Sequence, residues 1–255
     1  VGFKAYTTPR DGPARFHVTL FDPQTGAMSA LLEADLLGQF RTGAASGVAT
    51  KKLARPDAAA AGCIGTGKQA RTQVLAVCKV RPLKQVKVYG RDPARRAAFA
   101  AQLAAETGVD VVPVESAEEA TRGLDIVVTA TTAREPVLKG EWLADGCHVN
   151  LVGSNFLARA EADVGVFRRA ALVTVDSKEQ ARLEAGDLVE PVKQNVLSWA
   201  EVSDFGPLLV GRYPGRQSPA DVTVFKSLGL GIEDVAVAAR VVDLARQKGV
   251  GRDVL

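Results

Sequence analysis

Two hydrophobic patterns alternate along the central part of the chain, residues 61–175. Short continuous apolar runs, typical of strands buried on both faces, alternate with segments whose apolar residues recur at helical spacing. The runs predict strands at 61–64, 85–89, 109–112, 126–129, 148–152 and 172–175, and the segments between them predict helices at about 70–78, 94–107 and 116–122. This alternation predicts an α/β fold with a doubly wound parallel sheet.

The segments on either side of this region carry different patterns. Apolar runs at 16–21 and 28–32 flank a turn-rich stretch and predict a β-hairpin. Asp35 is a suitable N-cap for a helix predicted at 36–53. The inner face of that helix is predicted to contain Leu37, Arg41, Ala44, Ala45 and Val48.

The last third of the chain predicts three more helices and one strand. The helices are predicted at 177–184, 195–202 and 232–246, and the strand at 221–225. Gly186 and Asp187 are predicted to end the first of these helices.

A glycine-rich turn joins the first central strand to the helix after it. Gly65, Gly67 and Ala70 form the pattern G-x-G-x-x-A, with Thr66 and Gln69 between them. Gly65 permits a tight turn, Gly67 lets a pyrophosphate approach the backbone, and Ala70 lets the helix pack closely on the strand. Because a helix N-terminus favours an anion, the complete strand–turn–helix–strand setting predicts a bound dinucleotide. Such turns also occur where nothing is bound, so the glycines alone are weak support.

The residues after the second strand bear on the choice of nucleotide. Enzymes that use NAD usually place an acidic residue there, whereas this chain has Gly90 and Arg91, with Asp92 slightly later. Asp92 fits the N-cap of the next helix, and Arg95 and Arg96 lie in its first turn, where the dipole disfavours cations. A 2′-phosphate would offset this cost, so NADP(H) is the preferred coenzyme and NAD(H) stays possible. The alternative is that the arginines point into solvent.

Two further turns follow strands of the predicted sheet, where ligands of such sheets bind. One contains Thr129, Ala130 and Thr131, and the other contains Val152 and Gly153. Both are candidate cofactor-binding turns for the ribose or nicotinamide. The alternative for each is ordinary turn chemistry.

Composition narrows the possible partners. The net charge is +3 in 255 residues, which predicts binding neither to nucleic acid nor to a membrane surface. No apolar run reaches membrane-spanning length and no signal peptide opens the chain. Cys63, Cys78 and Cys147 are isolated, which favours reduced thiols, a cytoplasmic location and no metal site. The chain opens on Val1 in mid-pattern, so a preceding segment is expected to be missing.

An arginine lies on the predicted inner face of the helix at 36–53. Burial of the Arg41 guanidinium is costly unless an anion pairs with it, and the small residues at 43–47 let another backbone come close. Two interpretations remain open. Arg41 pairs with an internal Asp or Glu, or its planar fork binds a substrate carboxylate bidentately.

With these residues placed, the chain resembles the ornithine cyclodeaminase/mu-crystallin family over essentially its whole length. The matching motifs are GFK at 2–4, RTGAAS at 41–46, IGTGKQA at 64–70, VTATTAREP at 128–136, HVNLVGSN at 148–155, DSKEQARLEAGD at 176–187 and FKSLGLGIED at 225–234. So many motifs in one order make the resemblance far more specific than the glycine turn alone.

The resemblance implies a Rossmann domain at 56–215 and a smaller α+β domain for substrate binding and dimerisation, formed by 1–55 and 216–255. It implies a homodimer, and hydride transfer between a nicotinamide and the α-carbon of a small imino or amino acid. Family members begin several dozen residues earlier, which agrees with a missing N-terminal segment.

The resemblance also assigns roles to individual residues. The substrate contacts are Lys4, Thr19 and Arg41, with Lys4 and Arg41 toward the carboxylate. The pyrophosphate turn is Gly65, Gly67, Gln69 and Ala70, and the contacts around the ribose and nicotinamide are Thr129, Thr131 and Ser227.

One departure from the family concerns the catalytic proton. Ornithine cyclodeaminases carry an aspartate where this chain has Asn155, whose amide cannot accept a proton. Lys4 is therefore the candidate proton donor, with a structural salt bridge as its alternative. His17 and His148 are further alternatives, although each lies in a strand-like run where packing histidines are common. The candidate catalytic residues are Lys4, Arg41 and Asn155.

The sequence thus predicts an NAD(P)H-dependent oxidoreductase that acts on the C=N or C–N bond of a small α-imino or α-amino acid. A cyclic imine or ketimine reductase and an amino-acid dehydrogenase both fit. The alternatives are an NAD-dependent, ammonia-releasing ornithine cyclodeaminase, a non-catalytic NADP-dependent binding protein like mu-crystallin, and a fragment without function.

Overall fold

The computed structural model describes residues 1–252. Its strands are β1 (Gly2–Thr7), β2 (Arg15–Phe21), β3 (Met28–Glu33), β4 (Ala60–Ile64), β5 (Gln85–Tyr89), β6 (Asp110–Pro113), β7 (Ile126–Thr129), β8 (His148–Leu151), β9 (Ala170–Val175), β10 (Val202–Asp204) and β11 (Val222–Lys226). Its helices are α1 (Asp35–Leu53), α2 (Lys68–Val80), α3 (Pro93–Thr107), α4 (Val164–Arg169), α5 (Lys178–Glu184), α6 (Gly186–Lys193), α7 (Phe205–Leu209) and α8 (Gly231–Gln247), with a 3-10 turn at Gly140–Trp142.

These elements form two compact units. The first contains residues 1–41 and the chain from 229 onward, and the second contains residues 42–228. The predicted domains instead divide at 55/56 and 215/216. The positions differ because β11 pairs with β8 and β9, which places residues 222–226 inside the large sheet of the second unit.

The first unit is a three-stranded antiparallel sheet with α8 on one face. Its strand order is β1-β2-β3, and Val18, Leu20 and Ala238 are buried between sheet and helix. The predicted hairpin of β2 and β3 is present. The strand β1 is an addition that the sequence pattern did not predict, because its residues 2–7 alternate less clearly between apolar and polar.

The second unit contains an eight-stranded sheet in which every strand pair is parallel. The strand order is β10-β9-β11-β8-β7-β4-β5-β6. The chain runs from β4 through β5 to β6 in one direction, and from β7 to β8 in the other, so the topological switch lies between β4 and β7. The order β6-β5-β4-β7-β8 is that of dinucleotide-binding sheets, whose ligand crevice lies beyond the carboxyl ends of the strands at this switch. The predicted α/β, Rossmann-type fold is confirmed.

Helix α1 buries a different face from the predicted one. Val48 of the predicted inner face is 42% exposed. The buried residues of α1 are Gly38, Gln39, Thr42, Gly43, Ser46, Gly47, Ala49, Thr50 and Leu53. Most of these buried residues are polar or small. At Gly43 the backbone of α1 lies against that of α2, since a Cβ there would lie 2.5 Å from the Thr72 carbonyl oxygen. The prediction that residues 43–47 let another backbone approach is correct, whereas the prediction of the face is wrong.

Three predictions of helical segments are wrong. Residues 116–122 form turns, with single hydrogen bonds such as that from the Arg122 backbone N to the Glu118 carbonyl oxygen at 2.8 Å. Residues 195–201 also form turns, since Asn195 has a φ of +56°, outside the helical range. Gly186 begins the helix α6 instead of ending α5.

None of the helices in residues 1–252 combines the length and apolar character that crossing a membrane requires.

Candidate active site

The turn between β4 and α2 has the geometry that its glycines predict. Gly65 has a φ of +125°, and a Cβ there would lie 2.3 Å from the Ala130 carbonyl oxygen, so only glycine fits. Gly67 is the N-cap of α2 and leaves the helix without a side-chain cap. No atom lies within 4 Å of a Cβ built on Gly67, and the first turn of α2 contains no acidic residue. A helix start without a side-chain cap, beside open space, fits an anion such as a pyrophosphate.

The end of β5 packs against this turn. A Cβ at Gly90 would lie 2.6 Å from Cγ2 of Thr66, so glycine is needed for the two turns to meet. Oε1 of Gln69 is buried and has no hydrogen-bond partner among the described residues. An acceptor in that state is satisfied when a ligand donates to it.

Asp92 is occupied by a structural role. It is the N-cap of α3, and its carboxylate accepts a hydrogen bond from the Arg95 backbone N at 3.0 Å, as predicted. The residue that could bind a ribose 2′-hydroxyl therefore already stabilises the start of a helix.

The three arginines near Asp92 have different surroundings. Arg96 is buried, donates through Nη1 to the Gly90 carbonyl oxygen at 3.1 Å, and pairs through Nη2 with Glu115 at 2.5 Å. Arg91 and Arg95 are exposed, and neither forms an ion pair with another residue in the described part of the chain. Arg96 thus fixes the turn after β5, whereas Arg91 and Arg95 present their charges to solvent.

One carboxylate joins the turns after β7 and β8. Oε1 of Glu161 accepts hydrogen bonds from the backbone N and Oγ1 of Thr131 at 2.6 and 2.7 Å. Oε2 accepts from Oγ1 of Thr129 at 2.7 Å and from the backbone N of Gly153 at 2.6 Å. A Cβ at Gly153 would lie 2.4 Å from Oε1 of Glu161, so this approach requires glycine.

Glu161 is in turn held by a buried ion pair. The backbone N atoms of Glu161 and Ala162 donate to Oδ1 of Asp187 at 2.6 and 3.0 Å. Oδ2 of Asp187 lies 3.0 Å from Nζ of Lys226, and both side chains are fully buried. Nζ of Lys226 also donates to the Ser154 carbonyl oxygen. Burial raises the pKa of the Glu161 carboxyl, while the charge of Lys226 and the two threonine hydroxyls oppose that rise.

The other candidates at this edge of the sheet differ in exposure. Ser227 follows β11, is buried, and its Oγ has no hydrogen-bond partner within residues 1–252. Ala130 is buried and Val152 half-buried, and their backbone N atoms extend the ladder of the sheet. Asn155 is exposed.

A cluster of two cations and two carboxylates lies in the first unit. Nζ of Lys4 and Nε of Arg41 both donate to Oδ1 of Asp234 at 3.0 Å. Nη1 of Arg41 donates to Oε2 of Glu233 at 3.2 Å. Asp234 is 2% exposed and Arg41 11% exposed. A Cβ at Gly229, where φ is +83°, would lie 2.3 Å from Nη1 of Arg41, so glycine lets the guanidinium lie against the backbone.

For each of these two cations, the contacts agree with one of the two interpretations that the sequence left open. Arg41 pairs with internal carboxylates, and Lys4 forms a structural salt bridge. The substrate-binding interpretation stays a proposal. It requires a free donor on Arg41, and Nη2 of Arg41 forms no hydrogen bond to any described residue.

Thr19 is not brought together with the two cations. In the register of the sheet Lys4 lies opposite Val18, whereas Thr19 lies opposite Phe3 and Leu31. Directly opposed residues share one face and successive residues alternate, so Thr19 lies on the other face of the sheet from Lys4.

The histidines follow the packing interpretation. His148 begins β8 and is fully buried, with Nδ1 2.9 Å from Oγ1 of Thr223. Burial first, and then the charge of Arg216, lower its pKa to about 3. His148 is therefore neutral near pH 7 and has no proton to give. His17 is a half-buried residue of β2. The described residues contain no cluster of three His, Cys, Asp or Glu side chains arranged to hold a metal ion.

Five residues of these two sites were not predicted as functional: Glu161, Asp187, Lys226, Glu233 and Asp234. Lys226 carried a signal, because a lysine that ends the apolar run VTVF is costly to bury without a partner. Glu233 and Asp234 resembled ordinary acidic residues in a first helical turn. Glu161 carried no signal, since its neighbours read as a polar loop.

The fold and the glycine turn together define a protein with a Rossmann-type dinucleotide-binding sheet. The chain belongs to the ornithine cyclodeaminase/mu-crystallin family, whose model matches residues 6–249. The predicted family, fold and enzyme class are confirmed.

Three relatives illustrate the match. The Δ1-pyrroline-2-carboxylate reductase of Bacillus cereus strain ZK / E33L is 40% identical over 238 residues, which cover 93% of this chain and 73% of that protein. The structure of Thermococcus litoralis Δ1-pyrroline-2-carboxylate reductase in complex with NADH and L-proline has a TM-score of 0.90 at 42% identity, covering 94% of this chain and 75% of that one. An archaeal alanine dehydrogenase dimer with bound NAD has a TM-score of 0.92 at 34% identity, covering 100% of this chain and 80% of that one.

Proposed function

We propose that this enzyme reduces a small cyclic α-imino acid of the Δ1-pyrroline-2-carboxylate type with NADPH. Hydride adds to the imine carbon and a proton adds to the imine nitrogen, which gives the cyclic amino acid and NADP⁺. The observation that carries the proposal is the β4–α2 turn, whose glycines, uncapped helix start and open space beside Gly67 fit a dinucleotide. The 40% identity to a reductase of that imine supports the substrate class.

The nicotinamide coenzyme supplies the hydride when it is bound, and the protein supplies orientation and charge. The pyrophosphate would be held by the turn of Gly65, Thr66, Gly67, Gln69 and Ala70. The ribose and nicotinamide half would be held by the turns after β7, β8 and β11. Ser227 supports this assignment, because its buried, unpartnered Oγ fits a ligand group that it can hydrogen-bond.

The substrate carboxylate would be bound in the first unit by Nη2 of Arg41 and Nζ of Lys4. Asp234 accepts from both cations through one oxygen, and so fixes their spacing before substrate arrives. Without substrate the charges of Lys4, Arg41, Glu233 and Asp234 sum to zero. A substrate carboxylate would accept charge-assisted hydrogen bonds from Nη2 of Arg41 and Nζ of Lys4. The proton for the imine nitrogen comes from Lys4 or from an ordered water, since the amide of Asn155 does not exchange a proton in this way.

NADPH is the proposed coenzyme because no free acidic residue follows β5. Asp92 caps α3, and Arg91 and Arg95 present unpaired guanidinium groups beside it. These groups suit a 2′-phosphate. A kcat/KM for NADPH at least tenfold above that for NADH is expected, and the ratio should fall toward one in Arg91→Ala.

A homodimer is also proposed. Phe3 and Leu31 lie in one row of the first unit's sheet and are 53% and 58% exposed. Exposed apolar side chains on one sheet face are typical of a protein interface. We expect a dimer by gel filtration and a monomer for Leu31→Glu.

A cytoplasmic location is proposed from the three unpaired cysteines.

Activity assays test the central proposal. NADPH and NADH oxidation would be followed with Δ1-pyrroline-2-carboxylate, Δ1-piperideine-2-carboxylate and pyruvate plus methylamine. Arg41→Ala should lose at least 100-fold in kcat/KM while binding NADPH normally, whereas Arg15→Ala, a 67% exposed arginine of β2, should match the wild type. Equal activity in Arg41→Ala would remove Arg41 from the mechanism.

NADPH binding without oxidation by any imine would favour a binding protein, and conversion of ornithine to proline with ammonia release would favour a cyclodeaminase.

A further inference from the structure

We infer that Glu161 is a positioning residue for the nicotinamide half of the coenzyme site, acting through the turns after β7 and β8. The inference rests on the proposed function, because it concerns the coenzyme site proposed there.

Glu161 is the common acceptor of two separate strand ends. Its two oxygens accept four hydrogen bonds, two from Thr131, one from Thr129 and one from Gly153, all between 2.6 and 2.7 Å. No other side chain in the described part of the chain accepts donors from both turns. Beyond the last ladder hydrogen bond, from the Val152 backbone N to the Thr129 carbonyl oxygen at 3.0 Å, these turns are therefore joined through one carboxylate.

The bonded turns belong to one half of the expected nucleotide site. Dinucleotide-binding sheets consist of two mononucleotide-binding halves on either side of the switch between strands. The turn after β4 serves the pyrophosphate, and β7 and β8 belong to the other half, which holds the nicotinamide. The side-chain hydrogen bonds of Glu161 all go to this second half.

The geometry excludes direct contact between Glu161 and substrate. Glu161 is fully buried, and its four acceptor positions are taken by four donors. Its effect must pass through Thr129, Thr131 and Gly153. Gly153 shows how close the packing is, because a Cβ there would lie within 2.4 Å of both the Thr131 backbone and Glu161.

A second buried pair fixes the backbone of Glu161. Asp187 accepts from the backbone N of Glu161, and Lys226 neutralises Asp187 from the end of β11. Ser227 follows Lys226 directly, so one chain of contacts joins the ends of β7, β8 and β11. The carboxylate of Glu161 joins the ends of β7 and β8 directly, and Asp187 and Lys226 connect its backbone to the end of β11.

The test compares Glu161→Gln with Asp125→Asn. Asp125 is a second carboxylate that accepts two backbone N–H groups, from Ala59 and Ala60 at 2.8 and 3.0 Å, but at the amino ends of the strands. Titration calorimetry would measure the Kd of each variant for NADPH and for 2′-phospho-ADP, which lacks both the nicotinamide and its ribose. In Glu161→Gln the amide NH2 faces a backbone N–H, that of Thr131 or that of Gly153, which cannot accept from it, so the turn that contains this N–H must move.

We expect Glu161→Gln to bind NADPH at least tenfold more weakly, to bind 2′-phospho-ADP within twofold of the wild type, and to have a lower kcat. Asp125→Asn should bind both ligands like the wild type. An unchanged NADPH affinity in Glu161→Gln would overturn the inference, as would an equal loss for both ligands, which marks a general structural defect. If Glu161→Gln does not fold, Thr129→Val removes one of the four hydrogen bonds and should weaken NADPH binding about threefold, and an unchanged Kd would again overturn the inference.

The wild-type protein separates this inference from the proposed function. A wild type that binds neither nucleotide, or binds NADPH and reduces no imine, contradicts the proposed function whatever Glu161→Gln does. A wild type that binds NADPH and reduces the imine, together with an unaffected Glu161→Gln, contradicts the inference alone.

Discussion

The two edges of the parallel sheet each contain a carboxylate that binds backbone N–H groups, yet they are built differently. At the amino edge Asp125 binds the start of β4 and pairs with Arg55 at 2.5 Å, with 20% and 27% of the side chains exposed. At the carboxyl edge Glu161 is fully buried and binds two threonine hydroxyls in addition to backbone N–H groups.

The surroundings of the two carboxylates explain the difference. At the amino edge the nearby arginines bind backbone carbonyls. Arg81 donates to those of Thr50, Lys51 and Ala54 at the end of α1, where a cation suits the helix dipole. At the carboxyl edge the N-cap of α2 makes no side-chain cap hydrogen bond, and Oγ of Ser227 has no hydrogen-bond partner among the described residues. At the amino edge the chain itself supplies most partners, with Nε2 of His148 and Nε of Arg55 left without a hydrogen bond among the described residues; the carboxyl edge is the one at which we propose that a coenzyme binds.

The largest expected effect belongs to the buried pair at the carboxyl edge. Lys226→Met leaves the Asp187 carboxylate buried without its cation, which should lower the free energy of unfolding by about 4 kcal/mol. Urea denaturation would measure the loss. The double variant Lys226→Met/Asp187→Leu should recover at least half of it, because no buried charge is then left unpaired. A loss below about 1 kcal/mol in Lys226→Met would show that the pair is not isolated from solvent.

The next effect is a pH dependence at the amino edge. His148 has a pKa of about 3 in the folded chain, against an ordinary value of about 6.5. Between these values the unfolded chain binds a proton that the folded chain does not, so stability falls as the pH falls from about 6.5 toward 3. From pH 7 to pH 4 this group should remove about 3 kcal/mol.

His148→Leu removes that titration and should flatten the dependence, as measured by urea denaturation at pH 7, 5.5 and 4. The variant starts from a lower stability at pH 7, because the hydrogen bond to Thr223 is lost. Parallel curves for the wild type and His148→Leu would show that other groups cause the acid sensitivity.

A smaller loss is expected for Asp125→Asn. The amide keeps one acceptor for the start of β4 but loses the ion pair with Arg55, so the free energy of unfolding should fall by about 2 kcal/mol. The kcat and the KM for NADPH should stay within twofold of the wild type, because Asp125 lies at the edge of the sheet opposite the proposed coenzyme site. A change in KM comparable to that of Glu161→Gln would erase the distinction between the edges.

The same contrast explains what the sequence could predict. The strands of the second unit and the turn at Gly65 were predictable, because continuous apolar runs and glycine spacing report local backbone requirements. Family motifs added Lys4, Arg41 and Ser227. The position of Arg41 on a helix facing an anion was predicted correctly, but its internal partners in α8 were not, since they lie 192 and 193 residues away.

Long-range polar contacts account for most of what was missed. Glu161 reaches Thr129 across 32 residues and Asp187 across 26, and no periodicity in the sequence reports such pairs. The buried face of α1 was wrong for a related reason. Gly43, Ser46 and Thr50 pack inward because of close backbone approach and polar contacts, whereas hydrophobic periodicity assigns such residues to the surface.

The smallest effect on stability is expected at Gly67, where function and folding separate most clearly. Gly67 is the N-cap of α2 with a φ of −95°, and no atom lies within 4 Å of a Cβ built there. Gly67→Ala should therefore change the free energy of unfolding by no more than about 1 kcal/mol. The added methyl group occupies the space beside the free N–H groups, so NADPH should bind at least tenfold more weakly by calorimetry.

Gly65→Ala is the matched variant, because its Cβ would lie 2.3 Å from the Ala130 carbonyl oxygen and its φ is +125°. It should lose stability as well as affinity. If Gly67→Ala binds NADPH like the wild type, the pyrophosphate does not lie against α2, and the carboxyl edge loses the ligand that distinguishes it from the amino edge.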